Sequence, residues 1–139
     1  VVSVRAAITE AAARVGRSSA DVCLVAVTKY AGLAAIRAVL AAGVHDLGES
    51  RVQQLRPRVA ALGRDASPLG GVAGVGGPRW HMIGHLQRNK VKYLLPDVRI
   101  VHSVDSMRLA VELDGAVRRM REGGNPPPTP SLCMDRTHG

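Results

Sequence analysis

Short apolar runs alternate with helical patterns four times along this chain, and no other feature restricts its fold as strongly. The runs are VCLVAVT (22–28), VHDLG (44–48), RWHMIG (79–84) and RIVHS (99–103). Strands that alternate with helices at this spacing are typical of a parallel sheet with right-handed crossovers. The sequence therefore predicts an α/β fold.

Apolar residues at helical spacing precede the first strand and follow each of the four. These patterns cover residues 4–15, 31–43, 49–63, 87–96 and 106–120. Pro57 lies inside the third pattern, where a kink is expected because proline cannot donate a backbone hydrogen bond. Either Asp105 or Ser106 can cap the last helix.

Residues 1–139 are interpreted as a single domain that glycine and proline interrupt twice. Residues 63–78 hold six glycines and two prolines, which predicts a flexible surface insertion. Residues 123–130 predict a stiff proline-rich linker, and the tail at 131–139 fits no clear pattern.

Two architectures agree with the order of elements. A doubly wound open sheet closes with few strands, whereas a (β/α)8 barrel needs about 250 residues. Length alone favours the open sheet, since the chain has 139 residues. No GxGxxG or GxxxxGK[ST] loop follows any strand, so the usual nucleotide-binding loops are missing.

The net charge of +8 admits binding to nucleic acid or another polyanion. The basic residues are scattered, however, and the chain has one Trp, two Tyr and no Phe to stack on bases. Solvated helix faces explain the charge better than a specific nucleic-acid site. No apolar run has a membrane-spanning length, and the two cysteines lie far apart, so reduced thiols and a cytoplasmic location are expected.

Polar residues follow all four apolar runs, at the strand ends where parallel α/β folds gather functional groups. After the first run, alternation places Val25, Val27 and Lys29 on one face. If that face points into a barrel, Lys29 tops a dry interior and its amine is suited to attack an aldehyde. The alternative is a strand-end lysine that reaches solvent, and spacing alone favours this alternative.

Other candidates carry weaker signals. His81 and His85 have an H-x3-H spacing, but no thiol or carboxylate nearby completes a zinc site, so no metal is expected. His81 is more typical of a packed, hydrogen-bonded histidine, with a cofactor-facing role as the alternative. Glu49 suits either a cap at a helix start or a general base, and Asp105 is best interpreted as a cap.

Four blocks together resemble the pyridoxal phosphate homeostasis protein family, also described as YggS-like. They are LVAVTKY, AGVHDLGESRVQQL, RWHMIGHLQRNKVKYLLP and IVHSVDSMRLA, and they lie in the family's order between about residues 3 and 121. The resemblance implies a fold-type III (β/α)8 TIM barrel like the amino-terminal domain of alanine racemase. The chain would supply about four or five of the strand–helix units.

The resemblance also implies site residues. Lys29 matches the family lysine that holds pyridoxal 5′-phosphate as a Schiff base. Ser50 replaces the asparagine of the family's Gly-Glu-Asn block near the cofactor, and serine has a shorter reach. His81 and Gly84 match a block expected to line the barrel mouth.

The function implied is that of a carrier and regulator of the vitamin B6 pool rather than an enzyme, with apoenzymes that need the cofactor as possible recipients. A racemase of the same fold type is the first alternative, and it needs a second acid or base, usually a tyrosine. A basic nucleic-acid-binding module is the other. Family members are longer and hold the cofactor phosphate on loops after the late strands, so an amino-terminal portion with an exposed core face is expected.

Overall fold

The computed structural model describes residues 1–64 and 77–123. Within these two ranges, five helices and four strands follow each other. They are α1 (Val2–Arg14), β1 (Val25–Val27), α2 (Leu33–Ala41), β2 (Asp46–Glu49), α3 (Val52–Leu62), β3 (Arg79–Met82), α4 (Val91–Leu94), β4 (Val98–Val101) and α5 (Met107–Glu122). Two single turns of 3-10 helix lie at Ser19–Asp21 and Arg88–Lys90.

The four strands form one parallel sheet in the order β1-β2-β3-β4. Each strand pairs with the next strand in the sequence, and no reversal of order occurs between these strands. A doubly wound sheet reverses at a switch point, whereas a barrel adds its strands consecutively. The prediction of an α/β barrel fold is therefore confirmed, with four strand–helix units in the described residues.

One face of the sheet carries the hydrophobic core. Alternate residues of the three longer strands point to the helices and are fully buried, because period-two side chains share a face. They include Leu47, Trp80 and Val98, and Ile36, Leu55, Leu94 and Leu109 from the helices complete the same core. The indole N–H of Trp80 donates to the carbonyl oxygen of Gly63 at 3.0 Å, which fixes β3 against the end of α3.

The other face of the sheet, the open face, is buried at Asp46 and His81 but exposed at β1. Val27 is 55% exposed there, and Lys29 is also exposed. Val25 and Val27 share a face as the alternation predicts, whereas Lys29 lies beyond the strand in a turn. The exposure of Lys29 agrees with the alternative that spacing favoured, a strand-end lysine that reaches solvent.

Several element boundaries differ from the sequence predictions, most clearly in β1 and α4. The first strand covers only Val25–Val27, and α4 covers only Val91–Leu94 after a turn of 3-10 helix. Ser106 caps α5, since its Oγ accepts a hydrogen bond from the backbone N–H of Leu109 at 3.3 Å. The helix α3 continues through Pro57.

Several predictions fall outside the described residues. They concern most of the glycine-rich insertion (65–76), the proline-rich linker and the tail (124–139), and the thiol of Cys133. Within the described ranges, none of the helices combines the length and the apolar character needed to cross a membrane.

The two faces of the sheet are buried to different extents, so truncating a side chain should destabilise the protein more on one face than on the other. Leu47→Ala removes a fully buried side chain on the helix side and should lower the free energy of unfolding by about 2–5 kcal/mol. Val27→Ala on the open face should change it by less than about 0.5 kcal/mol. Urea unfolding followed by circular dichroism measures both variants. Equal losses would show that something covers the open face in solution.

Candidate functional site at the carboxyl edge of the sheet

The carboxyl ends of the four parallel strands meet at one edge of the sheet. Lys29 follows β1 closely, Ser50 follows β2, Gly84 follows β3 and His102 follows β4. Neighbouring strands are about 4.8 Å apart, so these residues line the edge in that order. The structure thus brings the sequence candidates to a common edge.

Lys29 stands in a tight turn. The backbone N–H of Ala31 donates to the carbonyl oxygen of Thr28 at 2.8 Å, so Lys29 and Tyr30 occupy the two central positions. Both side chains are exposed, and Lys29 Nζ lies 5.3 Å from the centre of the Tyr30 ring. No carboxylate in residues 1–64 or 77–123 forms a salt bridge with Lys29. Its amine is therefore accessible to a small electrophile.

A buried charge network lies directly beneath this turn. The guanidinium of Arg58 in α3 contacts Glu49 Oε2, the carbonyl oxygen of Thr28 at 2.8 Å and the carbonyl oxygen of Ala31 at 3.0 Å. The Glu49 side chain is fully buried, and that of Arg58 is 13% exposed. Sequence reasoning missed Arg58 and counted it only among scattered charges. The available signal was its spacing of three residues from Leu55, which puts a cation beside the apolar stripe of α3.

The second carboxylate oxygen of Glu49 binds the backbone just before α3. Glu49 Oε1 accepts hydrogen bonds from the backbone N–H groups of Ser50 at 2.8 Å and Arg51 at 3.3 Å. The predicted cap is wrong in that α3 has no side-chain cap and Glu49 lies before its first turn. A general base is not favoured either, because both oxygens of Glu49 are already engaged by donors.

Ser50 and Gly84 lie against each other where β2 and β3 end. A side chain at Gly84 would place its Cβ 2.3 Å from the carbonyl oxygen of Ser50, which is closer than atoms can approach. The hydroxyl of Ser103 donates to the carbonyl oxygen of Gly84 and so fixes the same loop from the β4 side. Gly84 is thus needed for close backbone packing at the edge of the sheet.

A second polar cluster lies on the open face of the sheet. Arg79 Nε donates to Asp46 Oδ1 at 2.8 Å, and its Nη2 binds the other carboxylate oxygen. His81 Nε2 lies 3.0 Å from Asp46 Oδ1, and His81 Nδ1 lies 2.9 Å from His102 Nε2. The two imidazole rings stack with centroids 5.2 Å apart. The cluster connects the amino end of β2 to the carboxyl edge beyond β4.

The ionised carboxylate of Asp46 determines the direction of its hydrogen bonds with Arg79 and His81. Burial alone raises the pKa of Asp46, but the hydrogen bonds and charges of Arg79 and His81 outweigh burial and hold that pKa well below 3.8. An ionised carboxylate only accepts, so His81 Nε2 donates to it. His81 is therefore the buried, hydrogen-bonded histidine that the sequence favoured.

His85 does not join His81. Its side chain is 73% exposed, and Nδ1 lies 3.2 Å from Asp105 Oδ2 at the surface. Among the residues that the structure describes, no three His, Cys, Asp or Glu side chains are grouped to hold a metal ion.

No family model matches the chain, whereas curated proteins do. It is 46% identical over 106 residues to the "Pyridoxal phosphate homeostasis protein" of Deinococcus radiodurans, covering 76% of this chain and 44% of that protein. The protein of the same name from Pseudomonas aeruginosa is 37% identical over 131 residues, covering 91% of this chain and 49% of the relative. The chain thus spans about half the length of these relatives, or less.

Solved structures give the same correspondence. PipY of Synechococcus elongatus, solved with pyridoxal phosphate (PLP) bound, superposes with a TM-score of 0.62 at 32% identity, covering 82% of this chain and 50% of PipY. A protein from Bifidobacterium adolescentis gives a TM-score of 0.70 at 35% identity, covering 87% of this chain and 48% of that protein. The similarity in sequence and structure covers most of the present chain.

The lowered pKa of His102 predicts a loss of stability in mild acid. Desolvation, followed by the charge of His81, lowers this pKa below 6.5. The unfolded chain therefore binds a proton at a higher pH than the folded chain, and the free energy of unfolding falls as pH drops below 6.5. Urea unfolding between about pH 7.5 and pH 5.5 should show this loss, and His102→Gln should reduce it. An identical loss in the variant would contradict the assignment.

The close contact between Gly84 and Ser50 predicts that adding one methyl group at Gly84 destabilises the folded protein. Gly84→Ala must displace the backbone of Ser50 and should lower the free energy of unfolding by about 1–3 kcal/mol. Gly32→Ala is the matched control, since a Cβ at Gly32 meets no atom within 4 Å, and it should change stability by less than about 1 kcal/mol. Thermal unfolding compares the two variants. Equal stabilities would exclude the close packing of the two loops.

Proposed function

Because this chain is homologous to the amino-terminal part of the pyridoxal phosphate homeostasis proteins, we propose that it binds PLP and acts in the homeostasis of this cofactor. The observation that carries the proposal is the match to PipY, whose structure was solved with PLP bound. The chain covers half of PipY, so the activity and partners of a whole protein are part of the proposal.

Lys29 is the proposed point of attachment. The chain contains three lysines, namely Lys29, Lys90 and Lys92. Lys90 and Lys92 lie at the start of α4, whereas Lys29 alone follows a strand at the carboxyl edge. Bound PLP supplies an aldehyde that reacts with primary amines. The accessible amine of Lys29, which no described carboxylate neutralises, fits that chemistry.

The remaining residues of the edge have orienting roles in the proposal. Ser50 and His102 present a hydroxyl and an imidazole beside the open face, and both can exchange hydrogen bonds with a polar ring. His81 is held by Asp46 through its Nε2, which fixes the orientation of its ring beside His102. Gly84 keeps the neighbouring loop close to Ser50.

The proposed role is that of a carrier and regulator of PLP, which the names of the relatives support better than they support an enzyme. The names of the relatives describe homeostasis, and apoenzymes that need PLP are the proposed recipients. A racemase needs an acid or base across the cofactor from the lysine. Tyr30 lies in the same turn as Lys29, beneath its ammonium group, and Tyr93 lies in α4. A cytoplasmic location is also proposed, because the two distant cysteines suit reduced thiols.

Mapping of the attachment site tests the proposal. The protein is mixed with PLP and reduced with borohydride, and its peptides are analysed by mass spectrometry. Lys29 should carry the reduced adduct in preference to Lys92, and Lys29→Ala should abolish the major labelled peptide. The tertiary setting of Lys29 is the physical reason, because the two lysines have the same local chemistry.

Lys92 is a close internal control. It too precedes a tyrosine and lies over that ring, with Lys92 Nζ 4.9 Å from the centre of Tyr93. Both lysines are exposed. Equal labelling of Lys29 and Lys92 in the folded protein would show that PLP reacts with any exposed lysine, and it would refute the proposal.

A further inference from the structure

We propose that Arg58, held in place by Glu49, is a positioning residue that orients Lys29 for attachment of the cofactor. This inference rests on the proposed role of Lys29. Arg58 and Glu49 together form a brace beneath the lysine turn of residues 28–31.

One guanidinium holds both ends of that turn. Arg58 Nη1 donates to the carbonyl oxygen of Thr28 at 2.8 Å, and Nη2 donates to the carbonyl oxygen of Ala31 at 3.0 Å. The Thr28 carbonyl belongs to the peptide group that includes the backbone nitrogen of Lys29. Arg58 therefore fixes the orientation of the peptide plane from which Lys29 emerges. Without that contact, only the hydrogen bond from Ala31 to Thr28 closes the turn.

The hydroxyl of Thr28 strengthens the connection between the turn and the sheet. Thr28 Oγ1 lies 3.1 Å from the carbonyl oxygen of Gly48, and Arg58 Nη1 lies 3.1 Å from Thr28 Oγ1. The backbone N–H of Thr28 also donates to Gly48 at 2.9 Å. The first residue of the turn is thereby attached to both β2 and α3.

Burial makes the brace rigid. The Glu49 side chain has no exposed surface, and a buried carboxylate without a partner is strongly disfavoured. Glu49 therefore holds Arg58 close, and the planar guanidinium then presents its other N–H groups in fixed directions. A lysine at position 58 can pair with Glu49, but its single ammonium group cannot span the two carbonyl oxygens as a planar fork does.

The brace also connects the turn to the next helix. Ala31, whose carbonyl Arg58 binds, is followed by Gly32, the N-cap residue of α2. Arg58 thus links β1, the start of α2 and the end of β2 from within α3. Its loss should loosen the lysine turn more than the centre of the sheet, because the strands keep their own hydrogen bonds.

Arg58→Lys tests the positioning role, with Arg56→Lys as its matched control. Arg56 lies on the same helix, is exposed and is outside the brace. The first readout is amide hydrogen exchange. Exchange of the Ala31 N–H, which donates to Thr28 across the turn, should be at least about tenfold faster in Arg58→Lys than in the wild type, with exchange in β2 and β3 unchanged. The control should match the wild type.

The second readout is the rate at which PLP labels Lys29 relative to Lys92 in borohydride mapping. The ratio of these rates should fall about tenfold in Arg58→Lys and stay unchanged in Arg56→Lys, with the rate at Lys92 constant in all three proteins. Normal exchange and a normal ratio in Arg58→Lys would overturn the positioning role while leaving the proposed function intact. A wild-type protein without preference for Lys29 would overturn the proposed function itself, and with it the role of Arg58.

Should Arg58→Lys fail to fold, Glu49→Gln provides a second route, because a neutral amide can keep hydrogen bonds to Arg58 without the ionic attraction. The same two readouts apply. A partial loss of the labelling preference together with faster exchange in the turn is expected for this variant. Unchanged values for both would count against the brace.

Discussion

The buried pair of Glu49 and Arg58 is the interaction on which the carboxyl edge of the sheet depends. A carboxylate removed from water needs a cation or several donors, and Glu49 has the guanidinium of Arg58 together with two backbone N–H groups. The guanidinium in turn binds the turn that contains Lys29. The same contacts that satisfy buried charge therefore also hold the turn that carries Lys29.

One face of the sheet carries the apolar core, and the other carries polar side chains. Leu47 and Trp80 face the helices and are fully buried, so that side provides the hydrophobic stabilisation. The opposite face presents Asp46 and His81 in a hydrogen-bonded chain that reaches His102. A strand turns alternate side chains to opposite faces, and so four short strands can supply both a core and a polar surface.

Much of this arrangement could be predicted from the sequence, and the failures have physical causes. The alternation of strands and helices and the common face of Val25 and Val27 follow from local periodicity. The ends of β1 were predicted less well, because the extent of a parallel strand depends on its neighbour. Arg58 was missed since a count of charges along the chain does not reveal which charge is buried. The contact of Asp46 with His81 depends on the register of β2 against β3.

The sequence by itself determined the order of the elements, the face on which each strand residue lies and the polar groups at each strand end. These properties depend on periods of two and about 3.6 residues, which neighbouring residues set. Only the tertiary structure decided that Arg58 lies under the lysine turn, that Gly84 touches Ser50 and that the face beside Lys29 is open. Such contacts join residues far apart in the chain, and their existence depends on how the strands align and what packs against them.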